Sequence, residues 1–505
     1  ADDFKSIINE FEKKDVRFTP EALKLLKEAE NPRAAIEGIL AENPLIFIIS
    51  EKEIDKELNK KLEEKIPLPV EVLRAPDFKP IAKDFSAELE FYKAGEITGQ
   101  SKCTGTVDDF VGYFRNRFES ISSMLRARQS PNGITPLLAL KNYASGKEVR
   151  IIGMVVSKKV TRNKHLLVEL EDEESNARVL FLRSDHEPQR SVFEKAGRLL
   201  FDEVVAIDAK ISSNQFIIAK DIIWPDIPIR TPRALETDVA VGFLSDLHVG
   251  SRYFMETQFN SMLKWLNGSS ESASTRELAG KIKYLVIAGD VVDGIGIYPK
   301  QEKELTVRDI YEQYKIFSQL LCEIPDYINI IVSPGNHDAV RRAEPQPKLP
   351  DELVGALKDR GNVYFIGSPC LFSLEDYKVL AYHGTSLDSI ISALPGLSYQ
   401  HPDKPMLELL KRRNLSPIYG ENPIVPESRD YMAITEVPDF LHMGHVHKNA
   451  YADYHGTAVI NSGTWQAQTD FQVRQGHVPS PCIMPVYELR YNKINFVNFN
   501  APVGE

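Results

Sequence analysis

Along the first fifty residues apolar side chains fall at helical spacing, as Leu23, Leu26 and Ala29 and then as Ile36, Ile39 and Leu40. Each set follows a capping residue and a proline suited to a first helical turn, in Thr19-Pro20-Glu21 and Asn31-Pro32-Arg33. A small helical module over residues 1–50 is therefore expected. Pro67, Pro69, Pro76 and Pro80, set between charged residues, break the pattern, and residues 51–105 read as an extended linker rich in proline and charge. From Thr106 the helical period returns: Val107, Phe110, Phe114, Phe118, Ile121 and Leu125 recur every three or four residues behind a threonine cap and the acidic Asp108 and Asp109. That stripe reads as the core face of an amphipathic helix, and residues 106–146 lead it into the next domain.

The period then shortens to two. Val149 to Val156, His165 to Leu170, Ala177 to Leu182, Val204 to Ile211 and Gln215 to Ile223 are short β-branched runs separated by polar turns. Five strands within residues 147–233 predict a small barrel of the OB-fold size. Its first strand pair is joined by Lys158, Lys159, Arg162 and Lys164, with Glu171 to Glu174 close behind, so this charge run reads as a solvated or protein-binding face rather than a nucleic-acid contact. From residue 234 to 505 apolar runs alternate with helical stretches: Val239 to Leu244, Ile282 to Ala288, Ile328 to Val332, Val379 to Tyr382 and Phe440 to Met443. This is the signature of an α/β domain.

Composition adds two constraints. With 61 basic against 72 acidic residues the net charge is −11, so any contact with a phosphate backbone must be local or assisted by metal. Cys103, Cys322, Cys370 and Cys482 stand singly, without zinc-ribbon or disulfide spacing, and read as reduced core thiols. No apolar run is long enough to span a membrane and the first residues carry no signal-peptide pattern, so a soluble, cytoplasmic protein is expected.

Each apolar run of the last domain ends in a polar cluster: Asp246-Leu247-His248, Gly289-Asp290 with Asp293, Gly335-Asn336-His337-Asp338, His383-Gly384, and Gly444-His445-Val446-His447. Open α/β sheets bind ligands beyond the carboxyl ends of their strands, so the clusters should converge. Any one of them is a common accident, and a lone His383 would be an ordinary core histidine. Five in order, each ending a β-run, read as one metal site. Carboxylate, imidazole and amide oxygen together suit manganese, with iron or zinc as alternatives, better than calcium or magnesium. The donors are too many for one ion. Asp246, His248, Asp290 and His447 can complete one sphere, and Asp290, Asn336, His383 and His445 a second, with Asp290 bridging. His442, His165, His186, His401, His455 and His477 fall outside the set and default to structural or surface roles.

These clusters resemble the pattern D-x-H, G-D, G-N-H-D/E, H and G-H-x-H of the calcineurin-like metallophosphoesterases over roughly residues 238–500. The resemblance implies an α/β β-sandwich flanked by helices, two divalent ions, and a metal-activated hydroxide attacking phosphorus. It places the metal ligands at Asp246, His248, Asp290, Asn336, His383, His445 and His447, the group that assists the leaving oxygen at His337, and the orienter of that imidazole at Asp338. Where related repair nucleases have a histidine after the bridging aspartate, this chain has Asp293, read as holding a ligand histidine in its tautomer.

The order of barrel and phosphoesterase, with the strings LSDLHVGS, GNHDAVRRAEPQP and HMGHVH, narrows the likeness to the small subunits of archaeal family D DNA polymerases. That likeness runs from about Thr106 to the C-terminus. It implies a 3′–5′ exonuclease acting on single-stranded DNA 3′ ends beside a separate large catalytic subunit. Arg341, Arg342, Lys411, Arg412 and Arg413 are strand-guiding candidates. The alternatives are a scaffold subunit with a vestigial site and a free-standing metallophosphatase.

Overall fold

The computed structural model describes the chain except residues 1, 15, 30, 44–45, 55–56, 58–74, 129–132, 213–215, 270–272, 359 and 501–505. Helices Asp2–Glu12, Pro20–Glu28 and Pro32–Glu42 form the amino-terminal module, and the Thr19 and Asn31 side chains accept from the amides of Ala22 and Ala34 as their sequence positions predict. Ile8, Phe11, Leu26, Ile36 and Ile39 meet in its core. Two short parallel strands, Arg17–Phe18 and Ile48–Ile49, join it without any warning in the sequence pattern.

The linker expected over residues 51–105 is corrected by the structure. Pro67 and Pro69 lie outside the described residues, but from residue 75 onward the segment is a strap bound into the last domain. Phe78 and Ala82 are buried in that domain's core, and strand Leu89–Phe91 pairs antiparallel with Cys370–Leu374. Proline and charge hid apolar anchors spaced too widely for a window of local composition to register.

Helix Val107–Arg126 has the expected capping box between Thr106 and Asp109. Phe118, Ile121 and Leu125 pack on the barrel residues Ile152, Met154, Val204 and Ala206. The stripe is not core along its whole length, because Val107 is 77% exposed at the amino-terminal end.

The barrel closes through strands Glu148–Val160, Leu166–Glu171, Asn176–Phe181, Ile217–Ile223 and Val204–Ile211, in that order round the wall, with helix Gln189–Gly197 following the third of these in sequence. Its first strand bends at a register shift between Val155 and Ser157, which lets it pair with both neighbours. Lys158 turns inward to the Leu199 carbonyl, while Lys159, Arg162 and Lys164 stay on the surface.

The last domain stacks two six-stranded sheets. The first runs Val363–Phe365, Asn329–Ser333, Ile282–Ala288, Ala240–Leu244, Ile483–Glu488 and Lys493–Asn498; the second runs Asn449–Tyr454, Thr457–Ser462, Phe440–Met443, Tyr377–Ala381, Cys370–Leu374 and Leu89–Phe91. Val241, Phe243, Val286 and Ile331 meet Phe372, Val379, Phe440 and Ile460 between the sheets. Helices Glu256–Leu266, Ala273–Lys281 and Ile310–Cys322 cover the outer face of the first sheet, which is why its central strands are buried on both sides. The parallel registers Leu244 to Ile287, Ala288 to Ser333 and Ala381 to His442 bring the strand ends level, so the polar clusters emerge along one edge.

Barrel and sandwich are locked by charge. The buried Arg412 guanidinium lies 2.7 Å from Glu203 and also pairs with Glu408, Arg413 donates to the carbonyls of Ile434 and Thr435, and Lys411 lies over the Trp224 ring at 4.2 Å. Arg341 donates to the Pro345 carbonyl and pairs with Glu427. Of the five strand-guiding candidates these four serve internal contacts that a linear charge pattern cannot reveal, and Arg342 donates to the Ile297 carbonyl at the surface. Cys370 and Cys482 are core thiols as expected, whereas Cys322 is exposed. No described helix is long and apolar enough to cross a membrane.

Candidate metal centre

The crevice is built from backbone that L-residues rarely adopt. Asp246, His248, Asp290, His445 and His447 all have φ between 51° and 68°. Such strain costs of order 1–3 kcal/mol per residue and persists only where the surroundings enforce it. Here the loops hold one another: the amides of Asp246 and His248 donate to the carbonyls of Gly289 and Asp290, and the amide of His445 donates to Asp246 Oδ2 at 2.9 Å. The glycine before His445 is required for the same close approach, since a Cβ at 444 would lie 2.2 Å from Asp246 Oδ2. Gly444→Ala is therefore expected to displace that carboxylate and weaken cation binding at least about tenfold, read by calorimetric titration of the folded variant.

All seven predicted ligands come together. Asp246 Oδ1 is 3.3 Å from His447 Nε2 and 3.9 Å from His248 Nε2, and those two imidazole nitrogens are 3.1 Å apart. Asp290 Oδ2 is 3.2 Å from His383 Nε2 and 3.9 Å from His248 Nε2, so one oxygen lies between the two groups. Asn336 Oδ1 meets His383 Nε2 at 3.0 Å, and the His445 ring packs edge-on against the His383 ring at 5.2 Å. Ligands about 2.1 Å from a common cation lie roughly 3.0–3.4 Å from each other, which is the spacing of the closest pairs here. Asp246 Oδ1 is a buried carboxylate oxygen without a hydrogen-bond partner, an unfavourable state that a cation would relieve. The residues therefore fit a pair of divalent ions.

Each imidazole is turned by a partner on its far side. His248 Nδ1 meets Asp293 Oδ1 at 3.0 Å and His383 Nδ1 meets the Ala288 carbonyl at 2.8 Å. His447 Nδ1 meets the Gln472 side-chain amide at 2.8 Å, and His445 Nε2 meets Asp388 Oδ2 at 2.9 Å. Asp293 also accepts from Gln301 and Gln466, which marks it as a holder of His248 and not a metal ligand, as its place in the sequence led us to expect.

His337 Nδ1 meets the Asp293 carbonyl at 2.8 Å, which leaves Nε2 free toward the crevice. The orienting role expected of Asp338 is thereby corrected. Its carboxylate accepts from the Gly335 amide at 2.8 Å and the Tyr314 hydroxyl at 3.0 Å, with longer contacts to the amides of Val291 and Val292. A side chain at that position points back under its own loop and braces it, while the neighbouring ring is held by a backbone carbonyl instead.

The electrostatics follow from burial and these pairs. Burial opposes charge on Asp290, yet the His383 and His337 imidazoles hold its carboxyl well below the usual range. Burial lowers His383, but the Asp290 charge outweighs it and lifts the imidazole to about 10, so a proton sits where a cation would. Burial together with the Asp290 charge raises Asp338 to about 7. His442, driven down to about 3 by burial, stays neutral against Ser462 Oγ, in keeping with a structural role.

Asp388 and Gln472 could not be found from the sequence. Nothing in their local strings distinguishes them from surface residues, and only the fold carries them to the crevice.

The class defined by this sandwich, barrel and crevice is that of the accessory B-subunits of replicative polymerases: a family model described as the DNA polymerase alpha/epsilon B-subunit matches residues 241–452. The chain is 41% identical over 417 residues to the DNA polymerase II small subunit of Methanocaldococcus jannaschii, covering 81% of this chain and 68% of that one. It is 41% identical over 415 residues to that of Methanothermobacter thermautotrophicus, covering 82% and 83%. To that of Archaeoglobus fulgidus it is 42% identical over 393 residues, covering 78% and 77%. The chain belongs to this family, the small subunits of the archaeal family D DNA polymerases, and a small subunit implies a large catalytic partner.

Proposed function

We propose that the chain is the proofreading subunit of its polymerase, removing nucleotides from DNA 3′ ends with two cations, manganese first among them. The observation that carries this reading is Asp290 Oδ2, placed between two groups of donors. Asp246, His248, Asp290 and His447 would hold one ion, and Asp290, Asn336, His383 and His445 the other. When bound, the pair supplies positive charge that polarises a phosphodiester and acidifies water. That local charge answers the objection raised by a net charge of −11.

The chain's own contribution beyond these ligands is His337. Its ring is fixed through Nδ1, and burial lowers its proton affinity although the Asp290 charge opposes this. Nε2 is left to hydrogen-bond the departing 3′ oxygen and, once protonated, to neutralise it. His337→Ala is expected to retain both ions and lose about 10²- to 10⁴-fold in rate. Metal analysis alongside single-turnover hydrolysis checks this; an unchanged rate would remove His337 from the chemistry.

We assign the barrel to the OB fold and the sandwich to the calcineurin-like phosphoesterases, with residues 75–105 belonging to the latter. A supporting role beside the large subunit goes with the hydrolytic one: Val107, Val111, Phe201 and Tyr419 are exposed apolar side chains on the helix, barrel and sandwich. Purified chain with Mn²⁺, given 3′-labelled single-stranded DNA and separately a phosphomonoester, tests the reading. Release of labelled mononucleotide is expected, and cleavage of the monoester alone would favour a free-standing phosphatase.

A further inference from the structure

The partners that turn the metal-facing imidazoles do not all come from the same scaffold. His248 and His383 rely on Asp293 and the Ala288 carbonyl, both in the strand and loop that also carry Asp290. His445 relies on Asp388, on the separate helix Leu387–Ala393. Leu387 and Ile390 anchor that helix in an apolar cluster beneath the second sheet, while the Asp388 side chain is 52% exposed. The Tyr399 hydroxyl donates to the same carboxylate, and the Tyr399 ring packs edge-on against His477 at 5.7 Å.

Resting on the two-cation reading, we infer that Asp388, steadied by Tyr399, is a positioning residue that sets the affinity of the second cation through His445. An acceptor at Nε2 keeps the proton on that nitrogen, which leaves the lone pair on Nδ1, the ring nitrogen free to serve as a ligand. It also fixes the ring about χ2, a broad torsion that packing alone defines poorly. The first cation does not depend on this contact, since His248 and His447 are turned by Asp293 and Gln472. Affinity for the two ions can therefore be separated by one substitution that touches neither.

The test uses the full chain, Mn²⁺ calorimetry and electron paramagnetic resonance. Wild type is expected to bind two ions and show a spin-coupled pair. Asp388→Ala is expected to bind the first unchanged and the second about 10- to 100-fold more weakly, with an uncoupled Mn²⁺ signal at concentrations that fill both sites in wild type. Asp388→Asn, which keeps an acceptor oxygen, should recover part of the loss, and Tyr399→Phe should show a smaller loss in the same direction. The last variant removes only a hydroxyl and serves if Asp388→Ala does not fold. Wild-type affinity for both ions in Asp388→Ala and Tyr399→Phe would overturn the inference while leaving the two-cation reading intact. A wild-type chain that never binds a second ion would overturn both.

Discussion

Asp290→Ala is expected to empty both cation positions and lower metal-dependent hydrolysis by about 10³-fold or more, because a shared ligand should matter more than an orienting partner worth about 10–100-fold. The distances make the case. Asp290 Oδ2 stands 3.2 Å from His383 and 3.9 Å from His248, and Oδ1 accepts the His337 amide at 2.8 Å, so one carboxylate joins both donor groups and the loop of the leaving-group histidine. Asp246 is grouped with His248 and His447 alone, and Asp246→Ala should leave the second position partly filled. Elemental analysis of the two variants after equilibration with Mn²⁺ separates the cases. Two ions per chain in Asp290→Ala would refute the bridge.

Arg117→Ala is expected to destabilise the chain by about 3–5 kcal/mol, the usual result of removing one partner of a buried ion pair. Arg117 lies in helix Val107–Arg126 with a side chain only 1% exposed, and its Nε is 2.7 Å from Asp430 Oδ2. It also donates to the carbonyls of Pro417 and Ser416, while Asp430 accepts from the Tyr113 hydroxyl and the Asn414 amide. Burial disfavours charge on Arg117, but Asp430 more than restores it, so the guanidinium stays ionised at every working pH. Without it Asp430 and two carbonyls would remain buried and poorly paired. Arg117→Met with Asp430→Leu should cost less than Arg117→Ala alone, since no unpaired charge is then left. Urea titration followed by Trp224 fluorescence, at the barrel–sandwich junction, measures both. A loss under about 1 kcal/mol for Arg117→Ala would mean that water reaches this network.

The five barrel strands and the central strands of the sandwich were legible because a strand's period and its terminating turn are written within about ten residues. The metal clusters were legible for the same reason, each being a strand end followed by its own donors. The strap was not: Phe78, Ala82 and Leu89 look like isolated apolar residues until the sheet that receives them exists. Arg412 and Arg413 were misread as surface cations because nothing local says that Glu203, far upstream in the barrel, packs against the first of them, or that the carbonyls of Ile434 and Thr435 take up the second.

The sequence by itself determined which donors are present, in what order, and that each ends a strand; these are properties of short segments and of side-chain chemistry. Only the tertiary structure decided where each imidazole points. A ring's orientation is set by the atom behind it, and for His445 and His447 that atom belongs to Asp388 and Gln472, on helices brought to the crevice by packing alone. Tertiary packing likewise moved Asp338 from the chemistry to the support of its loop.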